Sequence, residues 1–116
     1  MAINVELTLS GSTFGKPISL ITTATPGTLI HTATNTASTF DNCWLYAQNN
    51  HTALVTLTIE FGDTTAAAQI IMGLPSKEGL ILVIPGLPLN GGLAVRAFAS
   101  VANVVSVAGL VNRRTD

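Results

Sequence analysis

Ala53-Leu54-Val55-Thr56-Leu57-Thr58-Ile59-Glu60-Phe61, followed by Gly62-Asp63, is the stretch that decides the fold. Val55, Leu57, Ile59 and Phe61 point one way and Thr56, Thr58 and Glu60 the other. That period of two belongs to a half-buried strand, and Gly62-Asp63 closes it as a turn.

The same period extends outward in both directions. Residues 41–48 place Cys43, Leu45 and Ala47 on one face and Trp44, Tyr46 and Gln48 on the other, and Asn49-Asn50-His51 turns the chain back. Residues 18–23 form a strand candidate between Pro17 and Pro26-Gly27; residues 28–34 form another, followed by a polar loop at 35–39. Residues 79–84 are apolar on both faces and are expected to stop at Pro85-Gly86. Asn90-Gly91-Gly92 reads as a hairpin-type turn before a strand over 93–100, and residues 104–111 supply the last strand. A short strand is expected near residues 4–9. Residues 66–72 are ambiguous: Ala66-Ala67-Ala68-Gln69 favours helix, whereas Ile70-Ile71-Met72 before Gly73-Leu74-Pro75 suits a strand. Strand or irregular structure is preferred, because the flanks are all β and a convincing helix needs about ten residues.

Short strands at spacings of roughly 8–12 residues with turn residues between them predict an all-β, antiparallel β-sandwich, jelly-roll-like, of about eight strands. The 116 residues fit a single domain, 1–116, with residues 1–15 a candidate N-terminal arm and 113–116 a frayed C-terminus.

Composition narrows the function. Five Lys plus Arg and six Asp plus Glu make 9% of the chain, against about 25% in an ordinary soluble domain. A net charge of −1 gives no field to hold a polyanion, so nucleic acid is not an expected partner. The most apolar stretch, residues 79–89, contains two prolines, Pro85 and Pro88, and is too short to span a bilayer, so no membrane is expected. Met1-Ala2-Ile3-Asn4-Val5-Glu6 does not read as a signal peptide. One cysteine excludes a disulfide framework and points to assembly in a reducing cytoplasm. The shortage of charge suggests a surface covered by other chains, including further copies of this one.

Catalytic chemistry finds little support. His31, in a Thr-rich strand, and His51, in a turn, lack acidic or histidine partners at motif spacing and read as surface or interface imidazoles. Cys43 reads as a small buried hydrophobe and not as a nucleophile. Glu60, Asp63 and Glu78 show no spacing for paired-carboxylate hydrolysis, and Asp63 is more simply a turn residue. Asn50-His51-Thr52 matches a glycosylation acceptor by chance. Arg113-Arg114 is expected to be a solvated tail or to form one salt bridge to a neighbouring subunit. No catalytic, cofactor-binding or metal-binding residue is assigned, no cofactor is expected, and the chain is not expected to be an enzyme.

Interface residues are a different matter. Arg96 stands alone inside Leu93-Ala94-Val95-Arg96-Ala97-Phe98-Ala99, sharing a face with Ala94 and Phe98; it either reaches a partner or faces solvent. Arg96, Phe98, Ile81 and Val83 are the candidate contacts to other subunits. Trp44 and Tyr46 share a face and would be the aromatics of a carbohydrate-binding sandwich, but in so apolar a strand core packing is the preferred use.

Several strings resemble small structural proteins of tailed bacteriophages. They are Thr25-Pro26-Gly27-Thr28-Leu29-Ile30-His31-Thr32-Ala33, and Trp44-Leu45-Tyr46-Ala47 leading into Val55-Thr56-Leu57-Thr58-Ile59-Glu60-Phe61-Gly62. Val83-Ile84-Pro85-Gly86-Leu87-Pro88-Leu89-Asn90-Gly91-Gly92-Leu93 is similar too, as are Val95-Arg96-Ala97-Phe98-Ala99-Ser100, Ala102-Asn103-Val104-Val105 and Gly109-Leu110-Val111-Asn112. These are strand and turn patterns over residues 16–112, and they carry no functional residue with them. The resemblance implies a non-enzymatic virion protein, a capsid cement or decoration protein on the outer surface of the phage head. Its partners would be the major capsid protein and its own copies, as a homotrimer. A tail, fibre or neck subunit is the alternative from the same resemblance.

Overall fold

The computed structural model describes residues 3–115. Nine strands follow in chain order: β1 (Ile3–Thr8), β2 (Ile18–Ser19), β3 (Thr28–Thr32), β4 (Thr39–Asn49), β5 (Val55–Phe61), β6 (Gln69–Leu74), β7 (Ile81–Leu89), β8 (Ala94–Ala99) and β9 (Val105–Thr115). Every pairing is antiparallel. One sheet has the order β1-β9-β4-β7, with β2 also paired to β9; the other has the order β3-β8-β5-β6.

The topology is that of a jelly roll. β1 and β2 lie along the same side of β9, Thr8 opposite Leu110 and Ile18 opposite Val107. They are two halves of one first strand, interrupted by residues 9–17. Counted that way, the first sheet orders its strands first, eighth, third, sixth, and the second sheet orders them second, seventh, fourth, fifth. Two Greek keys nested in this way over two sheets define the jelly roll. The expected all-β antiparallel sandwich is therefore what the chain forms.

Alternation builds the core. β4 buries Thr39, Asp41, Cys43, Leu45, Ala47 and Asn49 and turns every intervening residue outward. β5 contributes Val55, Leu57 and Ile59, and these meet Leu9, Leu20, Ile30, Leu74, Ile84, Val95, Val107 and Val111 between the sheets. Each fully buried Leu, Ile or Val stabilises the fold by roughly 1.5–3 kcal/mol over its exposed state. On β5 the outward face is also covered: Thr58 is flanked by Phe98 and Ile71, and Glu60 lies under the loop before β3. The strand expected to be half-buried is thus buried on both faces toward its end.

Several boundaries differ from expectation for physical reasons. The strand expected over 18–23 keeps ladder pairing only at Ile18–Ser19. β7 does not stop at Pro85-Gly86 but runs to Leu89. It is an edge strand, where a proline can turn away from the ladder; Pro88 keeps register opposite Asn42, and the register shifts fall at Gly86 beside Pro85 and at Val83. Asn90-Gly91-Gly92 is a tight turn, with Gly91 and Gly92 both at positive φ, but it carries the chain from one sheet to the other and so is not a hairpin. Residues 66–68 form one 3-10 turn and β6 follows, the strand alternative for this segment. In the N-terminal arm, Ile3–Thr8 is strand β1. Residues 113–115, expected to fray, belong to β9; Met1, Ala2 and Asp116 lie outside the described residues.

Candidate functional site

Two features bring chemistry-bearing side chains together, one inside the sandwich and one on its outer face. The inner one is built on Asp41. Its parity on β4 with Cys43 and Leu45 forces the carboxylate inward, where it is fully buried. Arg113 sits directly opposite on β9 and forks onto it, Nε donating to Oδ1 at 2.7 Å and Nη2 to Oδ2 at 3.0 Å. From the opposite sheet His31 on β3 brings Nε2 to 2.8 Å of Oδ2, and the Thr34 amide donates to the same oxygen at 3.1 Å. Burial alone would push the Asp41 carboxyl up. The hydrogen bonds from Arg113, His31 and Thr34, with the Arg113 charge, more than offset it and hold the carboxyl below its usual range.

The hydrogen bonds also fix the histidine tautomer. His31 Nδ1 accepts the main-chain N–H of Ser10 at 3.0 Å, so it carries no proton. The ring proton is then on Nε2 and is donated to Asp41, leaving a neutral imidazole between a carboxylate and an amide. Ser10, His31 and Asp41 are together, yet they do not form a nucleophile relay. The imidazole meets the Ser10 backbone, while the Ser10 hydroxyl accepts the Thr32 amide at 2.7 Å. The arrangement is a clasp, tying residues 9–17, β3, β4 and β9 into one polar cluster. His31 is thus buried inside the fold and not the surface or interface imidazole expected. Arg113 pairs within its own chain instead of extending as a solvated tail or reaching a neighbouring subunit.

The other chemical candidates fall into structural roles. Cys43 is buried, and burial together with the Asp41 charge pushes its thiol up to about 12, which leaves almost no thiolate at neutral pH. Glu60 is buried and accepts the Gly27 amide at 2.6 Å and the Thr25 hydroxyl. It pins the loop before β3, where a Cβ on Gly27 would meet the Ala97 carbonyl at 2.5 Å. Asp63 accepts from the Thr64 amide and the Thr65 hydroxyl, as a turn residue does. His51 lies in the turn after β4, its amide bonded to Asn49 Oδ1 at 2.8 Å. Among the described residues no group of three His, Cys, Asp or Glu side chains is placed to hold a metal ion. Among the described residues no helix is long and apolar enough to cross a membrane.

The four candidate interface residues separate. Arg96 and Phe98 are half-buried and face outward from β8, opposite Glu60 and Thr58, with Arg96 Nη1 donating to the Gly27 carbonyl at 3.3 Å. Ile81 is half-buried against the core. Val83 is only 6% exposed and belongs to the core, so it is not available to a partner. The reason is the β7 register: Leu82 is opposite Tyr46 and Ile84 opposite Leu45, so Val83 is the extra residue of a bulge. Both Val83 and Ile84 then face inward. The run apolar on both faces is largely this bulge.

The outer face of the first sheet holds the two aromatics expected in the core. Trp44 and Tyr46 point away from the core, and Trp44 is 36% exposed. The indole rests against the β7 main chain where Gly86 sits at positive φ; a Cβ there would lie 2.8 Å from the ring. Gly109 lets β9 pass close beside the Trp44 main chain, since its Cβ would stand 2.0 Å from the Trp44 carbonyl oxygen. Register sets the neighbours in rows: Thr8, Leu110 and Trp44 in one, Glu6, Asn112 and Asn42 in the next. Asn4, Glu6, Trp44, Tyr46, Leu110 and Asn112 line a groove of about 440 Å³. The only signal for it in the sequence was the shared parity of Trp44 and Tyr46.

Fold and sites together define a jelly-roll β-sandwich with a polar inter-sheet clasp and an amphiphilic outer groove. Comparison with protein-family models, curated proteins and solved structures finds no match.

Proposed function

We propose that the chain is a non-enzymatic structural subunit of a tailed-phage virion, a cement protein on the outer surface of the head that bridges capsid subunits. The observation that carries this reading is the surface. Of the 11 charged residues Asp41 and Glu60 are buried, so at most nine share an accessible area of 5955 Å², while Phe14, Ile21, Leu54, Ile71, Leu80 and Leu82 stand exposed on it. A monomer in water gains nothing from that arrangement, whereas a chain packed among neighbours does. The jelly roll suits the role, being a fold that viral capsid domains use.

Phe14 is the sharpest part of that surface. It is 97% exposed, at φ 53, on residues 9–17 that interrupt the first strand. The segment is not loose: Gly11 donates to the Ile30 carbonyl at 2.9 Å, Ser12 to the Leu9 carbonyl at 3.0 Å, and Ser10 binds His31. An exposed aromatic carried on a hydrogen-bonded segment is the form of an interface anchor. Its partner is the major capsid protein, and self-association as a trimer multiplies weak contacts into firm attachment. Co-sedimentation of the purified chain with heads assembled from the major capsid protein tests the reading. Saturable binding at a fixed ratio to capsid subunits is expected; absence of binding, or recovery of the chain only with tails, would overturn it.

A further inference from the structure

We propose that the groove on the outer face of the first sheet is a binding site for a neutral oligosaccharide. This inference stands apart from the capsid reading, which needs no small ligand.

The groove offers what a sugar ring requires. A pyranose has one face of C–H groups and a rim of hydroxyls, so it calls for an aromatic platform beside amides and carboxylates. Trp44 supplies the platform, its indole against Gly86 and extended by Leu110 in the same row. One row over, Asn112 and Glu6 supply donors and acceptors, with Asn4 and the Tyr46 hydroxyl at the margins. None of these four polar side chains is engaged in a hydrogen bond among the described residues, which leaves their full capacity to a ligand. The lining residues include one carboxylate and no cation, which disfavours anionic ligands such as phosphates or sialylated glycans. The volume, about 440 Å³, falls in the usual range for small-ligand sites, about 300–1,000 Å³.

The backbone shows that the platform is built and not incidental. Any side chain at Gly86 would collide with the indole, and any at Gly109 would collide with the Trp44 carbonyl. Gly86 thus makes room for the ring itself, and Gly109 for the main chain that carries it.

The test uses the single tryptophan of the chain, which is Trp44 itself. Its emission is titrated with maltotriose, cellotriose, triacetylchitotriose and lactose. At least one sugar is expected to give a saturable change with a dissociation constant of roughly 1 mM or below. Asn112→Ala and Glu6→Gln, which keep the reporter, are each expected to weaken that response about tenfold or more. Glu78→Gln, on the exposed segment between β6 and β7 and not among the residues that line the groove, should leave it unchanged. Unaltered near-UV circular dichroism in the variants separates lost binding from lost fold. Two results would overturn the proposal: no emission change with any of the four sugars, or a change that follows protein concentration without sugar. The second would make the face a contact between copies.

Discussion

Arg113 on β9 and Asp41 on β4 are cross-strand partners in the first sheet, and their two-pronged hydrogen bond is what allows a carboxylate to sit fully buried in the sandwich. His31 reaches the same carboxylate from the second sheet. A single buried charge thus links both layers, and its loss is felt by each.

Arg113→Ala leaves that carboxylate without its cation. A buried charge deprived of its partner destabilises by several kcal/mol, here moderated because Arg113 is itself partly exposed. A loss of about 2–4 kcal/mol is expected in urea unfolding. A shift under about 0.5 kcal/mol would show that the clasp contributes nothing beyond an ordinary surface pair.

The pH dependence has a definite sign. The Asp41 carboxyl is held below its ordinary value of 3.8 in the fold, so it favours the folded state most above that value. The contribution is lost as pH falls from 3.8 through the folded value. The stability gap between the wild type and Asp41→Asn should therefore stay constant from neutral pH down to mildly acidic pH and narrow only below it. A gap that closes near neutrality would place the titrating group elsewhere.

Cys43 should be chemically silent in the fold. With its thiol pushed up to about 12, it should resist a disulfide reagent at pH 8 and react with one equivalent once urea unfolds the chain. The linkage runs the other way from Asp41. The thiol's share of stability is present below its ordinary value of 9.0 and is lost as pH rises from there toward about 12. Fast labelling of the native protein would contradict the burial.

Gly86→Ala should disturb Trp44 more than the fold as a whole. The added Cβ would sit 2.8 Å from the indole, at φ +83, so the ring must move and the backbone is strained by about 1–2 kcal/mol. A shifted Trp44 emission with strand content retained by circular dichroism is expected. Unchanged emission would mean that the ring does not rest on Gly86.

Phe14→Gly separates folding from association. The side chain is 97% exposed and its φ of 53 suits glycine, so the stability of the isolated chain should change by less than about 1 kcal/mol. Binding to heads should fall at least tenfold if the phenyl ring is an anchor. Undiminished binding would remove Phe14 from the interface.

Strand order is beyond any single segment, but the strands themselves were legible where alternation is regular. β4 and β5 follow their pattern from end to end on the inward face. The clasp was half legible: Asp41 shares the parity of Cys43 and Leu45, which already placed it inward. His31 was not, because the register shift between Leu29 and His31 turns both Ile30 and His31 inward and breaks the alternation. The same device on β7 hid Val83. Glu60 was read as outward, correctly by parity. Its burial comes from a loop 33 to 35 residues earlier in the chain, which no local pattern encodes. The apolar neighbours of Trp44 suggest the core, whereas its own parity, opposite to Leu45, points outward.

The shell-stabilising role is tested most directly by heating heads assembled with and without the chain and following genome release. A subunit that binds only the assembled shell shifts its stability by mass action, so heads carrying the protein should release their genome at a higher temperature. Adding the purified chain back to stripped heads should restore that temperature. Identical release temperatures with the chain bound at full occupancy would contradict a cement role.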